Sequence, residues 1–301
     1  MPSHPLKLLF IINPGAGKNN TDWKKEITEY FSSSVHTIDL FELPGNCDPE
    51  EVTRKIRNVS PDRVIAVGGD GTLKLVAEAI EGKSIPIGLL PGGSANGMAK
   101  ELGIPADPIA ALEALMNGEV KKLHLVKVNN QSCIHLSDIG FNAFVVKKFE
   151  DEDKRGMWSY IKSAWKVLWS YSKMQVDIMV DDKYIRREAA MVVIANATKY
   201  GTGVIINPKG RLDDDMFEIV IVKRISLGEI FKMRFSHKPY NPAKTEVLQS
   251  RSLKIASKHK VHFQVDGEYM GKVNGITAEI LPGALEMIIP LATKADVNRS
   301  I

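Results

Sequence analysis

Cysteine is scarce: Cys47 and Cys133 are the two cysteines in 301 residues. They build no disulfide framework and stand in no metal-type spacing, so a reducing compartment is expected. Long apolar runs are missing as well. The run inside MPSHPLKLLFIINPG spans about six residues, too short for the core of a signal peptide. No window approaches the roughly 18 apolar residues of a spanning helix. Internal repeats and low-complexity linkers are also absent. A cytoplasmic chain is expected. What is present has globular proportions, 44% hydrophobic and 25% charged with 23 Gly and 15 Pro, which excludes a disordered chain, a collagen and a coiled coil. The length suits two domains, each burying its own core.

The net charge of +4 is unevenly spread. Residues 1–130 carry 14 Lys/Arg against 16 Asp/Glu, and residues 131–301 carry 26 against 20. Most of the excess lies in Lys223–Lys260, with ten basic and two acidic residues. That stretch suits an anionic surface, or it is a solvated basic face.

The first third alternates strand and helix. Lys7–Ile12 is a short apolar run, Asp22–Phe31 has apolar residues at helical spacing, and Val35–Leu43 reads as a strand. Pro49–Val59 is a helix opened by Asp48, Arg63–Val67 a strand, Leu73–Ile80 a helix and Ile85–Leu90 a strand, followed by a helix to about Leu102. This alternation predicts an α/β fold with a doubly wound parallel sheet, which binds ligands at the carboxyl ends of its strands. From about residue 122 the texture changes to short β-rich runs, among them Phe217–Val222, Ser252–Ala256 and Val261–Val265. These predict a mostly antiparallel β-sandwich, interrupted by a helix over Met157–Ser172. Its Trp158, Trp165 and Trp169 suit either a core or a bilayer interface. The expected domains are 1–125, α/β, and 126–301, β-sandwich, with the last residues able to return to the first.

Three glycine-rich turns follow strands of the predicted sheet. Asn13-Pro14-Gly15-Ala16-Gly17-Lys18 has glycines that let a backbone approach a phosphate, though a tight turn explains it equally. Gly68-Gly69-Asp70-Gly71-Thr72 is more specific: a plain strand-to-helix turn seldom needs three glycines. Close approach to a polyphosphate explains them, with Asp70 holding a metal or positioning a phosphate; the bland alternative is a helix cap by Asp70. Pro91-Gly92-Gly93-Ser94-Ala95-Asn96-Gly97 is the third, with Ser94 and Asn96 as hydrogen-bonding groups. Three such loops at one sheet edge make a nucleotide-sized site. Further on, Asp266-Gly267-Glu268 reads by itself as a β-hairpin turn. Leu212-Asp213-Asp214-Asp215-Met216 is either a cation loop or an exposed acidic loop.

Together these residues resemble the diacylglycerol kinase catalytic-domain family in its compact bacterial form, from NPGAGK at Asn13 to DGE at Glu268. GGDGT alone is shared with NAD kinases. The resemblance implies an ATP site in the cleft between the two domains. It places Asn13, Pro14, Gly15, Gly17, Lys18, Gly68, Gly69, Gly71, Thr72, Ser94 and Asn96 at the nucleotide. Asp70 would lie at its phosphates and at catalytic Mg²⁺. Asp266 and Glu268 would form the base that takes the lipid hydroxyl proton. The family's structural Mg²⁺ loop falls on Arg211–Met216, with Asp214 ligating by side chain and Arg211 and Met216 by carbonyls. Many bacterial relatives carry an Asp where this chain has Gly97, and an Asp where it has His124; Asp138 is the candidate to compensate. The Gly-Ser-x-Asn form at Gly93 is nearer to sphingosine kinases.

The expected activity is transfer of the ATP γ-phosphoryl group to a hydroxyl of diacylglycerol or a related membrane lipid. A sphingoid-base kinase, a soluble-substrate kinase of the NAD kinase type and a non-catalytic lipid- or nucleotide-binding regulator are the alternatives. Glu268 is the first choice of base, with Asp266 as its partner. Loss of the Asp70 charge is expected to lower turnover and spare the fold, Asp70 being read as a loop residue. No nucleic-acid partner is expected, and a homodimer is left open. Without a spanning helix the chain must meet its lipid peripherally, at an anionic membrane surface, and Lys232, Arg234 and Lys238 are the expected contacts. Each basic residue near such a surface contributes on the order of 1 kcal/mol. Vesicle co-sedimentation checks this. Wild type should bind anionic vesicles and release as salt shortens the Debye length. The triple change to Glu should stay in the supernatant, and equal sedimentation of both removes the docking face.

Overall fold

The run KLLFII is buried from Leu8 to Ile12 and forms β1 (Lys7–Ile12), because a strand covered on both faces must be apolar throughout. In a computed structural model, the structure describes residues 4–16, 21–45, 47–150, 173–198, 206–207, 210–212, 214–225 and 241–291. These fall into two compact units, residues 1–123 with 283–301, and residues 124–282.

In the first unit, α1 (Trp23–Tyr30), β2 (Thr37–Glu42), α2 (Pro49–Val59), β3 (Arg63–Gly68), α3 (Asp70–Ala79), β4 (Ile87–Pro91), α4 (Gly97–Glu101) and α5 (Pro108–Asn117) succeed β1. Asp22 caps α1 through Lys25 N–H, and Asp48 caps α2 through Glu50 N–H. α5, an element not expected from the sequence pattern, has the same signature, with Asp107 capping Ala110 N–H and Pro108 in its first turn. β2, β1, β3 and β4 pair in parallel in that order, and Met287 of the last strand pairs beside Ile87 of β4. Leu8, Phe10 and Ile12 face α1 and α5, in one core with Ile27 and Leu112. α2 and α3 pack against each other and against β1 and β3, so the sheet is wound on both faces.

The second unit is antiparallel. It holds the second half of β5 (Glu119–Val128), then β6 (Gln131–Cys133), β7 (Leu136–Gly140), α6 (Phe141–Glu150), β8 (Met174–Val180), β9 (Lys183–Ala189), β10 (Met191–Ala195), β11 (Phe217–Val222), β12 (Thr245–Ser250), β13 (Ser252–Val265) and most of β14 (Glu268–Ile289). Strands run in the order β12, β11, β10, β7, β13, and β13 also pairs with β8 and β14. Where the sequence suggested separate short strands, β13 continues through a bulge between Ala256 and Val261. Three hairpins turn on residue pairs with positive φ, Asn129-Asn130, Asp181-Asp182 and Asp266-Gly267, the geometry that matches strand twist. One core lies among Val126, Val192, Ile219, Ile255 and Phe263, and a second lies under α6 around Phe141, Val145 and Val193. The expected helix over Met157–Ser172 and the expected contacts Lys232, Arg234 and Lys238 lie outside the described residues. Among the described residues, no helix is long and apolar enough to cross a membrane.

Among the described residues β9 and β12 each pair with a single neighbour, and a charged clasp joins them. Arg187 donates Nε and Nη2 to the two carboxylate oxygens of Glu246, both at 2.9 Å, and Lys223 Nζ adds a contact at 3.0 Å. The Arg187 bonds hold the Glu246 carboxyl down at about 2 from its usual 4.5. A depressed carboxyl lends stability that is whole above its unfolded value and fades as pH falls through the folded one. Glu246→Gln should therefore lower the melting temperature at pH 7 by roughly 2–4 °C for a clasp contributing about 1 kcal/mol. In thermal melts from pH 7 to 2 the gap between the two proteins should be whole above about pH 4.5 and shrink steadily as pH falls towards 2. A gap undiminished at pH 2 refutes the clasp.

Candidate functional site

β3 ends in Gly68 and β4 in Pro91, and these neighbours leave the sheet in parallel about 4.8 Å apart. Their loops must therefore cross at backbone distance. A Cβ on Gly93 would lie 2.5 Å from the Gly69 Cα, and one on Gly92 would lie 3.2 Å from the Gly68 Cα and 3.3 Å from Trp23 Nε1. Gly68 is closed on its other side, since its Cβ would meet Thr72 Oγ1 at 2.3 Å. Four glycines are thus committed to loop packing. Loop packing accounts for these four glycines in the fold.

Gly71 is different. It is the second residue of α3, is exposed, and a Cβ there would meet nothing within 4 Å. Gly15 is similarly open, meeting only Asn13 Oδ1 at 3.5 Å. Neither position needs glycine for the packing described, so Gly71 leaves room at the start of α3 and Gly15 in the turn after β1. Ser94 is also exposed there. Asn13 ties the first loop to the second, donating Nδ2 to Thr72 Oγ1 at 3.2 Å and accepting Gly15 N–H at 3.0 Å. Thr72 is buried. Asn96, at φ 50, closes its own loop by accepting Gly93 N–H and donating to the Gly93 carbonyl, both at 2.8 Å. Pro14 is exposed, and Gly17 and Lys18 lie outside the described residues.

Asp70 is the first residue of α3, not a loop residue, and its carboxylate reaches across to α4. It accepts Gly97 N–H at 2.9 Å and Met98 N–H at 2.8 Å. α4 has no side-chain cap from Asn96, so Asp70 supplies one from 27 positions away in the chain. A side chain that cannot accept these amides therefore removes a helix cap.

In the second unit, the DGE turn is a two-residue hairpin with Val265 paired to Glu268. Glu268 is exposed. The Asp266 carboxylate is turned inward. It accepts N–H from Ile134, His135 and Leu136 at 2.9, 2.9 and 3.1 Å, and the Cys133 thiol at 3.5 Å. Burial pushes this carboxyl up, against the pull of the three amides and nearby His135. Asp266 is an anchor for residues 134–136, and Glu268 stands apart from it at the surface.

Asp214 sits in the acidic loop with its Oδ1 buried and unpartnered, while its carbonyl accepts Met216 N–H. Beside it, Glu218 is 1% exposed, bound by Asn207 Nδ2 and by Gln249 Nε2. Burial and the charge of Asp214 push the Glu218 carboxyl up. Asn207 Oδ1 is a further buried, unpartnered oxygen. Among the described residues the orphaned oxygens of Asp214 and Asn207 suit a hard divalent cation, so the Arg211–Met216 loop fits the Mg²⁺ that the resemblance implies. Asn207 and Glu218 are not legible in the sequence because neither belongs to a local motif. His124, in place of an acid, lies 3.7 Å by Nε2 from Asp215 Oδ1 and donates its backbone N–H to the Leu212 carbonyl. It braces the loop from outside. Asp138 does not compensate for it: its oxygens hold Asn142, Ala143 N–H and Gln264.

Family models match in two blocks, the diacylglycerol kinase catalytic domain over residues 7–128 and the YegS C-terminal NAD kinase beta sandwich-like domain over residues 137–289. A diacylglycerol kinase of Staphylococcus epidermidis is 29% identical over 245 residues, 78% of this chain and 75% of that protein. One of Bacillus subtilis is 26% identical over 222 residues, 71% of this chain and 73% of that protein. The crystal structure of a diacylglycerol kinase from Bacillus anthracis superimposes with a TM-score of 0.72 at 20% identity, over 96% of this chain and 97% of that one.

Asp70→Ala should cost about 1–3 kcal/mol, because it strands two amide groups at a helix start. Urea denaturation measures it, and an unchanged midpoint removes the cross-loop cap.

Proposed function

Since the chain belongs to the diacylglycerol kinase catalytic-domain family of lipid kinases, we propose that it transfers the γ-phosphoryl group of ATP to a hydroxyl of diacylglycerol or a closely related membrane lipid. The observation that carries this reading is Gly71, a helix-start glycine that the fold does not require and that opens onto free space. A triphosphate there meets backbone N–H groups and the positive end of α3. Ser94 and Asn13 flank it, and Asp70 keeps the two phosphate loops in register while facing the same end. A structural Mg²⁺ would be held by Asp214 and the carbonyls of Arg211 and Met216, and its charge would steady that acidic loop.

Phosphoryl transfer is largely positioning and charge stabilisation. The lipid oxygen bonds to the γ-phosphorus as the bond to the β-bridging oxygen breaks. ADP leaves with that electron pair, and the lipid proton passes to Glu268. Asp266, with its carboxylate buried, does not share this step; it holds the strand end from which Glu268 projects. The acceptor lies in a bilayer, and exposed Lys254, Lys258, Lys260 and Lys272 on β13 and β14 give the second unit a basic face for it.

The test is incubation with labelled ATP and Mg²⁺ on vesicles holding diacylglycerol, sphingoid base and monoacylglycerol, with NAD as control. Label in diacylglycerol, rising with the anionic lipid fraction, is expected. Label in sphingoid base favours the Gly93-Ser94 resemblance to sphingosine kinases, label in NAD favours a soluble-substrate kinase, and ATP binding without label a regulator. Gly71→Ala separates ligand approach from fold. Alanine is the better helix former by up to about 1 kcal/mol, so stability should hold or rise while KM for ATP increases by roughly tenfold or more. Unchanged ATP kinetics remove the nucleotide from this position.

A further inference from the structure

Gly267 immediately precedes Glu268, has φ +87, and carries no side chain to brace it. It is the freest link in the turn, yet its amide is tied down. Gly267 N–H donates to Gln264 Oε1 at 2.7 Å. The Gln264 Nε2 donates in turn to Asp138 Oδ2, and Ser137 Oγ donates to the Gln264 carbonyl at 2.8 Å. Asp138 is fully buried and Gln264 is 1% exposed. The same Asp138 carboxylate accepts Asn142 Nδ2 at 2.6 Å and Ala143 N–H at 2.9 Å, so the first turn of α6 and the hairpin turn hang on one group.

Stability does not account for this chain of bonds. A buried polar network is weak evidence for stability, because apolar groups of like shape do as well or better. The network has directional content instead. Gln264 must present oxygen to Gly267 and nitrogen to Asp138, which fixes its amide in one orientation and the Gly267 peptide plane with it. We propose that Gln264 and Asp138 are positioning residues for the reaction, holding the Gly267 amide so that Glu268 is presented to the acceptor hydroxyl in a single geometry. This rests on Glu268 as the base. Asp266 anchors the residue before Gly267, and Gln264 anchors Gly267 itself, so both bonds leading into Glu268 are immobilised. A misplacement of about 1 Å at a reacting group costs on the order of 10²-fold in rate.

The experiment is a double-mutant cycle on lipid phosphorylation, with wild type, Gln264→Met, Glu268→Gln and the double variant, each checked for folding by thermal melt. Gln264→Met should lower kcat by about 10–100-fold with KM for ATP and lipid nearly unchanged. In the Glu268→Gln background the same change should have little further effect, because a residue acting through another has nothing left to position. An equal loss in both backgrounds shows a general structural role and overturns the proposal, as does a folded Gln264→Met with wild-type kcat. Should Gln264→Met not fold, the exchanged pair Gln264→Glu with Asp138→Asn keeps the bonds to residue 264 with the charge moved, Asn142 turning its amide to accept in place of donating. It should retain most of the kcat, and a folded exchanged pair without activity overturns the proposal. Wild-type activity in Glu268→Gln removes the base assignment itself, a result separate from any outcome at Gln264.

Discussion

The contact between the Gly93 and Gly69 backbones governs the loop edge of the first unit. Adjacent parallel strands deliver their loops within one strand spacing of each other, and no side chain can stand between them. Once the loops touch, the start of α4 lies within reach of the first residue of α3, and Asp70 can cap a helix to which it does not belong. Asn13 adds the first loop through Thr72. The three turns therefore behave as one rigid edge, which is what a site needs if it works by position. Rigidity and ligand access are assigned to different glycines. Gly68, Gly69, Gly92 and Gly93 serve the first, and Gly15 and Gly71 leave room for the second.

The acids of the second unit are sorted by what surrounds them. Asp266 is saturated by three amides, Asp138 by a helix start and a glutamine, and Glu218 by two side-chain amides. Each is committed to holding a turn, a helix or a loop. Glu268 alone in the DGE turn stands at the surface. The inward turn of its neighbour Asp266 keeps the strand end beneath it in place.

Much of the fold was legible in the sequence, because buried parallel strands such as Lys7–Ile12 and Arg63–Gly68 are continuous apolar runs with glycine turns behind them. Asp48 and Pro49 announced α2. Asp107 and Pro108 carry the same pair of signals for α5, but its apolar residues run almost all round the helix and blur the periodicity. β9 was missed for a physical reason: KYIRREA is an edge strand whose charges reach solvent or the clasp, so its alternation is faint. At the site, composition located the loops but not the work of each residue. A glycine pressed against another loop and a glycine that nothing packs against look identical in sequence, and only the space beside Gly71 distinguishes them. Asp266 and Glu268 are likewise equal acids on paper. Their difference comes from strand pairing across some 130 residues. Gln264 carries no motif at all and emerges only from the bonds at both ends of its amide.

The last strand has one further consequence, which concerns time rather than geometry. The parallel sheet of the first unit takes its final neighbour from residue 287, beside Ile87, so that sheet is closed by chain made some two hundred residues later. While the ribosome is still working through the second unit, the β4 side of the first stands open, and an open strand side is a template for wrong partners. The entropy of closing so long a loop grows only logarithmically with its length, so completion is thermodynamically mild but kinetically late. A nascent chain of this protein passes through a long interval in which its nucleotide-type loops exist on a sheet that lacks a neighbour, and that interval is where chaperone dependence and misassembly would concentrate.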